Sequence, residues 1–251
     1  MNHPYLTAPA HVRAVDVGPA TVIVTYRSSR AETLVGPAAQ WWAALSASGD
    51  TTVPSPLDDA SARTLCGQLT DAGLLVSAPQ PEPWPAPTAG PSWEPSWGTH
   101  ELAAGRLEPV SVPFGTTVFA GLALAVVLVT LGAGPRHGRL GRLTWLLNKA
   151  ACRARRPATP DRALWAVHAV RRAGLLAPGR VACLEESAAV LVLLAISRQR
   201  VTWCHGAAAD PVRLHAWVDT DDREPVAEPP STARFAVLRT IPARGDGGES
   251  D

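Results

Sequence analysis

From Pro109 to Gly134 the chain carries no charged residue, and Phe114 to Leu131 is almost wholly apolar. A helix of about twenty such residues is long enough to cross a bilayer, so this stretch decides between a soluble and a membrane-bound architecture. Arg136, Arg139 and Arg142 follow it closely, as they would at a cytoplasmic end. Gly115, Thr116, Thr117, Gly121 and many alanines dilute its hydrophobicity, and the residues that follow need a helix to bury against. The reading is a helix at residues 114–131 that is buried in its domain or touches a membrane surface, ahead of a true span. A cytoplasmic, membrane-associated location is the matching expectation.

At 251 residues, the chain has room for two domains. A net charge of +1 removes the general electrostatic case for nucleic acid as a partner and leaves peptides and small molecules open. Cys66, Cys152, Cys183 and Cys204 show neither CxxC pairing nor zinc-ligand spacing, and no signal peptide precedes them. Reduced thiols in the cytosol are expected, with no metal and no cofactor.

The first domain is placed at residues 1–78. Thr21–Tyr26 and Glu32–Val35 are β-rich runs around a polar turn, and so read as a hairpin. Ala38, Trp41, Trp42 and Leu45 lie at helical spacing. A second helix starts near Asp58 or Asp59, where a carboxylate caps free amides, and stops at Asp71-Ala-Gly73. Seven prolines between residues 78 and 100 mark a linker, set at 79–108. The second domain, 109–245, continues with helices at 140–154 and 161–173, the latter carrying Leu164, Val167, Val170 and Arg171. A buried helix follows at Cys183–Ile196, then β-type runs at 201–205, 212–220 and 235–241. The fold class is α+β.

Chemistry concentrates in the last third. Cys183 opens its helix, where unpaired amides and the helix dipole favour a thiolate. A cysteine there can equally be a small core residue. His215 lies in a strand, and alternation puts it on one face with Trp217 and Asp219. A cysteine at a helix start and a histidine about thirty residues later suit nucleophilic catalysis.

Cys183-Leu-Glu-Glu-Ser187, Trp203-Cys-His-Gly206, Asp210-Pro-Val-Arg-Leu-His-Ala-Trp-Val218 and Pro225-Val-Ala-Glu-Pro229 together resemble the leader peptidase, or B protein, of lasso peptide biosynthesis. The resemblance covers roughly residues 135–243 and implies a transglutaminase-like, papain-like cysteine protease with a Cys-His-Asp triad, in which Glu228 would replace the family's Asp. Residues 15–77, ending in Asp71-Ala-Gly-Leu-Leu75, are similar to the RiPP recognition element, a winged-helix-like domain that adds a leader peptide to its hairpin as a strand. The match implies a groove with Thr33, Leu34 and Val35 on the hairpin edge and Arg63, Leu65, Gln68 and Leu69 on the facing helix. The implied partners are the leader region of a precursor peptide and a lasso cyclase.

Family members place the triad acid about a dozen residues after the histidine, a count that falls on Ala227. Thr220–Pro225 looks one residue longer than the usual turn, and a shift of one brings Glu228 into register, with Asp219, Asp221 and Asp222 as rivals. The expected triad is Cys183, His215 and Glu228, with the Cys183 amide as half of an oxyanion hole. Two other readings stay open: an acyltransferase using the same triad, and a non-catalytic leader-binding protein.

Overall fold

The computed structural model describes residues 5–54, 56–90, 114–177, 179–209 and 212–244. The N-terminal part comprises β1 (Leu6–Thr7), β2 (Val12–Asp16), β3 (Ala20–Thr25), β4 (Arg30–Val35), α1 (Pro37–Ser48), α2 (Asp59–Asp71) and β5 (Val76–Ser77). The expected hairpin is β3–β4, and β2 extends it to an antiparallel sheet of order β2–β3–β4. All six residues of β3 are buried, because the sheet is covered on both sides. Ile23 points into a core with Trp41, Trp42, Leu45, Leu69 and Leu74. Val22 and Val24, on the opposite face by alternation, join Val15, Tyr26, Ala207 and Leu238 in a second core. Strand β4 is the sheet's edge, with Thr33 and Val35 exposed.

Both helices begin as the sequence dictates. Pro37 sits in the first turn of α1, where its missing N–H costs nothing, and Asp58 caps α2 by accepting from the N–H groups of Ala60 and Ser61.

Residues 79–90 form no helix, as expected, yet they are not a free tether. Trp84 packs edge-on against Trp42 at 5.1 Å, and its ring N–H donates to the Leu6 carbonyl at 3.2 Å. Asp16 donates its N–H to Pro87 and accepts from Ala89, and the Gly90 N–H reaches the Arg234 carbonyl at 3.1 Å. The proline-rich segment therefore straps the first sheet and touches the C-terminal part; residues 91–108 of the expected linker lie outside the described residues.

The C-terminal part comprises α3 (Phe114–Gly132), α4 (Arg139–Ala151), β6 (Arg156–Pro157), α5 (Pro160–Gly174), α6 (Cys183–Ile196), β7 (Gln199–Arg200), β8 (Thr202–Ala208), β9 (Arg213–Asp219) and β10 (Ala236–Ile241). Helix α6 is central. Every residue from Ser187 to Ala195 is buried, because α3, α4, α5 and β9 surround it. The sheet has order β10–β8–β9, antiparallel throughout.

Helix α3 buries Ala120, Ala123, Leu124, Val127 and Leu131 in this core, while Val118, Phe119, Leu122, Val126 and Val129 are exposed. Its end is tied into the domain by Arg142, which donates to the carbonyls of Thr130, Leu131 and Pro135. These include carbonyls that a helix C-terminus leaves without intrahelical partners.

The two parts meet at a polar contact as well as an apolar one. The Tyr26 hydroxyl is hydrogen-bonded to His205 Nδ1 at 2.6 Å, fully buried, with Arg239 over the Tyr26 ring at 4.8 Å. Burial, with the charge of nearby His215, pushes the His205 pKa down to about 4, so the ring stays neutral. Tyr26→Phe leaves His205 short of a partner and is expected to cost about 1–3 kcal/mol, read as a lower midpoint in urea unfolding. A parental midpoint would show that the hydroxyl does not brace the contact.

Candidate active site

Cys183 is the first residue of α6. The Ala182 side chain offers no acceptor to the helix start, but Glu185 reaches back and accepts the Ala182 N–H at 3.1 Å. Burial pushes the Cys183 thiol up. A hydrogen bond with His215, another with the Ala216 backbone amide and the charge of His215 outweigh that burial and the opposing charge of Glu185, so the thiol lies below its ordinary range.

His215 Nε2 lies 2.8 Å from Glu228 Oε2, which leaves Nδ1 as the ring nitrogen for the thiol. Burial pulls the imidazole pKa down, but its hydrogen bonds to Cys183 and Glu228 and their charges raise it to about 9. Thiol below its usual value and imidazole above it favour the thiolate–imidazolium pair at neutral pH. The ring is held flat by Trp217, stacked at 5.7 Å, with Phe235 at 5.2 Å. Gly206 faces His215 across β8 and β9, and a Cβ there would lie 2.9 Å from the Trp217 ring and 2.6 Å from the Ala236 carbonyl oxygen. A glycine is therefore required for Trp217 to lie where it stacks on His215.

Glu228 is placed by its neighbours. Ala227 adopts a left-handed φ of 54°, which turns the chain into the site. Arg171, on α5, donates to the Ala227 carbonyl at 3.1 Å, to Glu228 Oε1 at 3.2 Å and to Glu186 at 3.4 Å, and the Thr232 hydroxyl reaches Glu228 Oε2 at 3.4 Å. The three rival carboxylates sit elsewhere. Asp219 is buried and accepts from Trp217, Cys204 and Arg244, Asp221 pairs with Arg200, and Asp222 is exposed in the turn.

The structure thus brings Cys183, His215 and Glu228 together on the wall of a pocket of about 280 Å³, with Val167, Val190 and Phe235 as part of its apolar lining. The N–H groups of Trp203 and Trp217 are spent on Ser187 and Asp219. The Cys183 amide lies in the first turn of α6, where N–H groups have no intrahelical partner.

The residues expected at the peptide groove divide. Thr33 and Val35 are exposed on β4, and Arg63 and Gln68 are exposed on α2. Leu34 and Leu65 are half-buried against the N-terminal core. Leu69 is a correction: it is inside that core with Trp41 and Leu45, because a two-helix cover over a three-stranded sheet needs it there, and it is not open to a peptide.

Sequence reasoning missed Arg171, Gly206 and Ala227. Arg171 had a signal, an arginine in the apolar register of α5 that calls for a buried acid partner. The left-handed Ala227 had none.

Among known families, residues 127–240 match the Transglutaminase-like superfamily, so the C-terminal part carries a transglutaminase-like superfamily domain. Searches of curated proteins and of solved structures found no match. The superfamily includes cysteine proteases and acyltransferases, and Cys183, His215 and Glu228 all lie in the matched range.

The thiols should react in the order their surroundings set. Cys183 is expected to alkylate with iodoacetamide at pH 6.5 about tenfold faster than exposed Cys152. Cys204, raised by burial and by the Asp219 charge, should be inert. Peptide mapping by mass spectrometry reads the order, and equal rates at Cys183 and Cys152 would refute the ion pair.

Proposed function

We propose that this protein is a cysteine peptidase that captures the leader of a ribosomally made precursor peptide, of the lasso type, and cuts it from the core peptide. The observation that carries the reading is the hydrogen-bonded set Cys183–His215–Glu228 at the wall of an open pocket in a transglutaminase-like domain. The motifs around Cys183 and His215 that resemble lasso leader peptidases give the substrate class.

Capture belongs to the N-terminal part. Strand β4 is a sheet edge with exposed Thr33 and Val35, and an extended leader can pair with its free backbone groups. Arg63 and Gln68 on α2 offer polar contacts, and half-buried Leu34 and Leu65 offer a shallow apolar floor. Such capture is what the similarity of residues 15–77 to a RiPP recognition element suggests. The lasso cyclase that consumes the freed core peptide is the proposed partner enzyme.

In the reaction, the Cys183 thiolate adds to the carbonyl at the leader–core junction, and the oxyanion formed is met by the Cys183 amide. The His215 imidazolium gives its proton to the departing amine, which leaves as the N-terminus of the core peptide, and the leader remains as a thioester on Cys183. His215, now neutral, takes a proton from water. The hydroxide equivalent displaces the thiolate, releasing the leader carboxylate, and the imidazolium is restored. Glu228 stabilises that imidazolium and fixes which ring nitrogen faces the sulfur.

Cys183→Ala should abolish cleavage of a precursor peptide followed by mass spectrometry, while Cys66→Ala, Cys152→Ala and Cys204→Ala retain it. Val35→Pro, which blocks strand addition at an exposed position, should raise KM and leave kcat near the parent value. A crosslinked amide in place of a free leader acid would assign the domain to acyl transfer, and unimpaired cleavage by Cys183→Ala would exclude the mechanism.

The pH dependence follows from the pair. With His215 raised to about 9, kcat/KM should fall on the alkaline side near that value. Glu228→Gln removes the charge that favours the imidazolium, so the alkaline limb should move to lower pH with a large loss of rate. A limb unmoved in Glu228→Gln would detach the carboxylate from the histidine.

A further inference from the structure

We propose that the outer face of α3 seats the protein on the surface of an anionic lipid bilayer, with the helix lying in the plane of the interface. Val118, Phe119, Leu122, Val126 and Val129 fall within one stripe of the helix and are exposed, Val129 by 69%. The stripe is opposite the buried one formed by Ala120, Ala123, Leu124, Val127 and Leu131. A helix that is apolar all round belongs in an apolar environment on every side, and here the described residues cover only one. The apolar surface continues to either flank. A groove of about 380 Å³ runs between α3 and the end of α5 past Val118, Leu128 and Leu176. A second, of about 250 Å³, is lined by Phe119, Trp165 and Ile196. Leu175 and Leu176 project at 85% and 83% exposure, and contiguous apolar surface of this kind marks an interaction site.

Charge decides the occupant. No acid occurs between Glu108 and Asp161, while seven basic residues lie between Arg136 and Arg156. Exposed Arg136 and Arg139 follow the end of α3, and Arg162 and Arg172 rim the apolar face on α5, Arg162 beside the Trp165 ring at 5.7 Å. Apolar side chains with a basic rim and an exposed tryptophan fit the headgroup region of a negatively charged bilayer. A span does not fit. The buried stripe of α3 packs along α5 and α6, and Arg142 holds its last carbonyls, so withdrawing the helix would open the core. Orientation follows from α5: Val167 and Arg171, which line the active-site pocket, lie on the side of that helix away from Trp165. The seat therefore leaves the pocket open to the aqueous phase.

The test is flotation of the full chain with vesicles of phosphatidylcholine alone or with roughly a third phosphatidylglycerol. The parent should float with the anionic vesicles, be released by high salt or carbonate, and float poorly with the neutral ones. Leu122→Glu with Val129→Glu should lower the bound fraction about tenfold, with circular dichroism matching the parent. If that pair fails to fold, Leu175→Glu with Leu176→Glu, after the end of α5, gives the same readout. A parent that ignores anionic vesicles, folded variants that float as well as the parent, a carbonate-resistant fraction, or a dimer by light scattering that the substitutions dissociate would each overturn the proposal.

Discussion

The Glu228 carboxylate is held from two sides, accepting from His215 on one oxygen and from Arg171 on the other. Only about a tenth of its side chain is exposed. Its hydrogen bond and its charge both help raise the His215 pKa. Arg171 pairs with Glu228 and also donates to the Ala227 carbonyl, so the left-handed turn and the carboxylate it delivers are held by one side chain. From that anchor the order runs outward, from Glu228 to the ring nitrogen of His215, and from His215 to the thiol of Cys183.

Support for the histidine comes from the sheet below it. Gly206 permits the Trp217 ring to cross β8, and Trp217 stacks on His215 while its N–H is held by buried Asp219. His205, next to Gly206 on β8, contacts Tyr26 of the first sheet. The strand that faces His215 is thus the same strand that carries the polar contact to the N-terminal part. Strand β3 completes the connection: one of its faces closes the core under α1 and α2, and the other packs on Ala207 and Leu238. A peptide on β4 would lie one strand away from that junction.

Much of this was legible in the sequence because it rests on local rules. Pro37, Asp58 and the Thr159-Pro160 pair mark three helix starts within a residue of those found. Alternation in Arg213–Asp219 places His215 beside Trp217. What escaped depends on contacts distant in the chain. Val12–Asp16 is too short and mixed to read as a strand without its partner β3, and the proline-rich segment looks unstructured until Trp84 finds Trp42. Leu69 shows the limit of periodicity, since helical spacing marks an apolar face without saying whether a core or a ligand covers it. The one-residue shift to Glu228 could be reasoned from the turn length, but its clamp by Arg171 could not.

The central claim is that His215 is an imidazolium paired with a thiolate, sustained by Glu228. The most direct measurement is an NMR titration of the ¹⁵N-labelled imidazoles. The account predicts that His215 carries both ring protons up to about pH 9, and that its titration moves to lower pH in Cys183→Ala, which removes the anion. A His215 that loses its second proton near pH 6.5, an ordinary histidine value, and is indifferent to Cys183→Ala would contradict it.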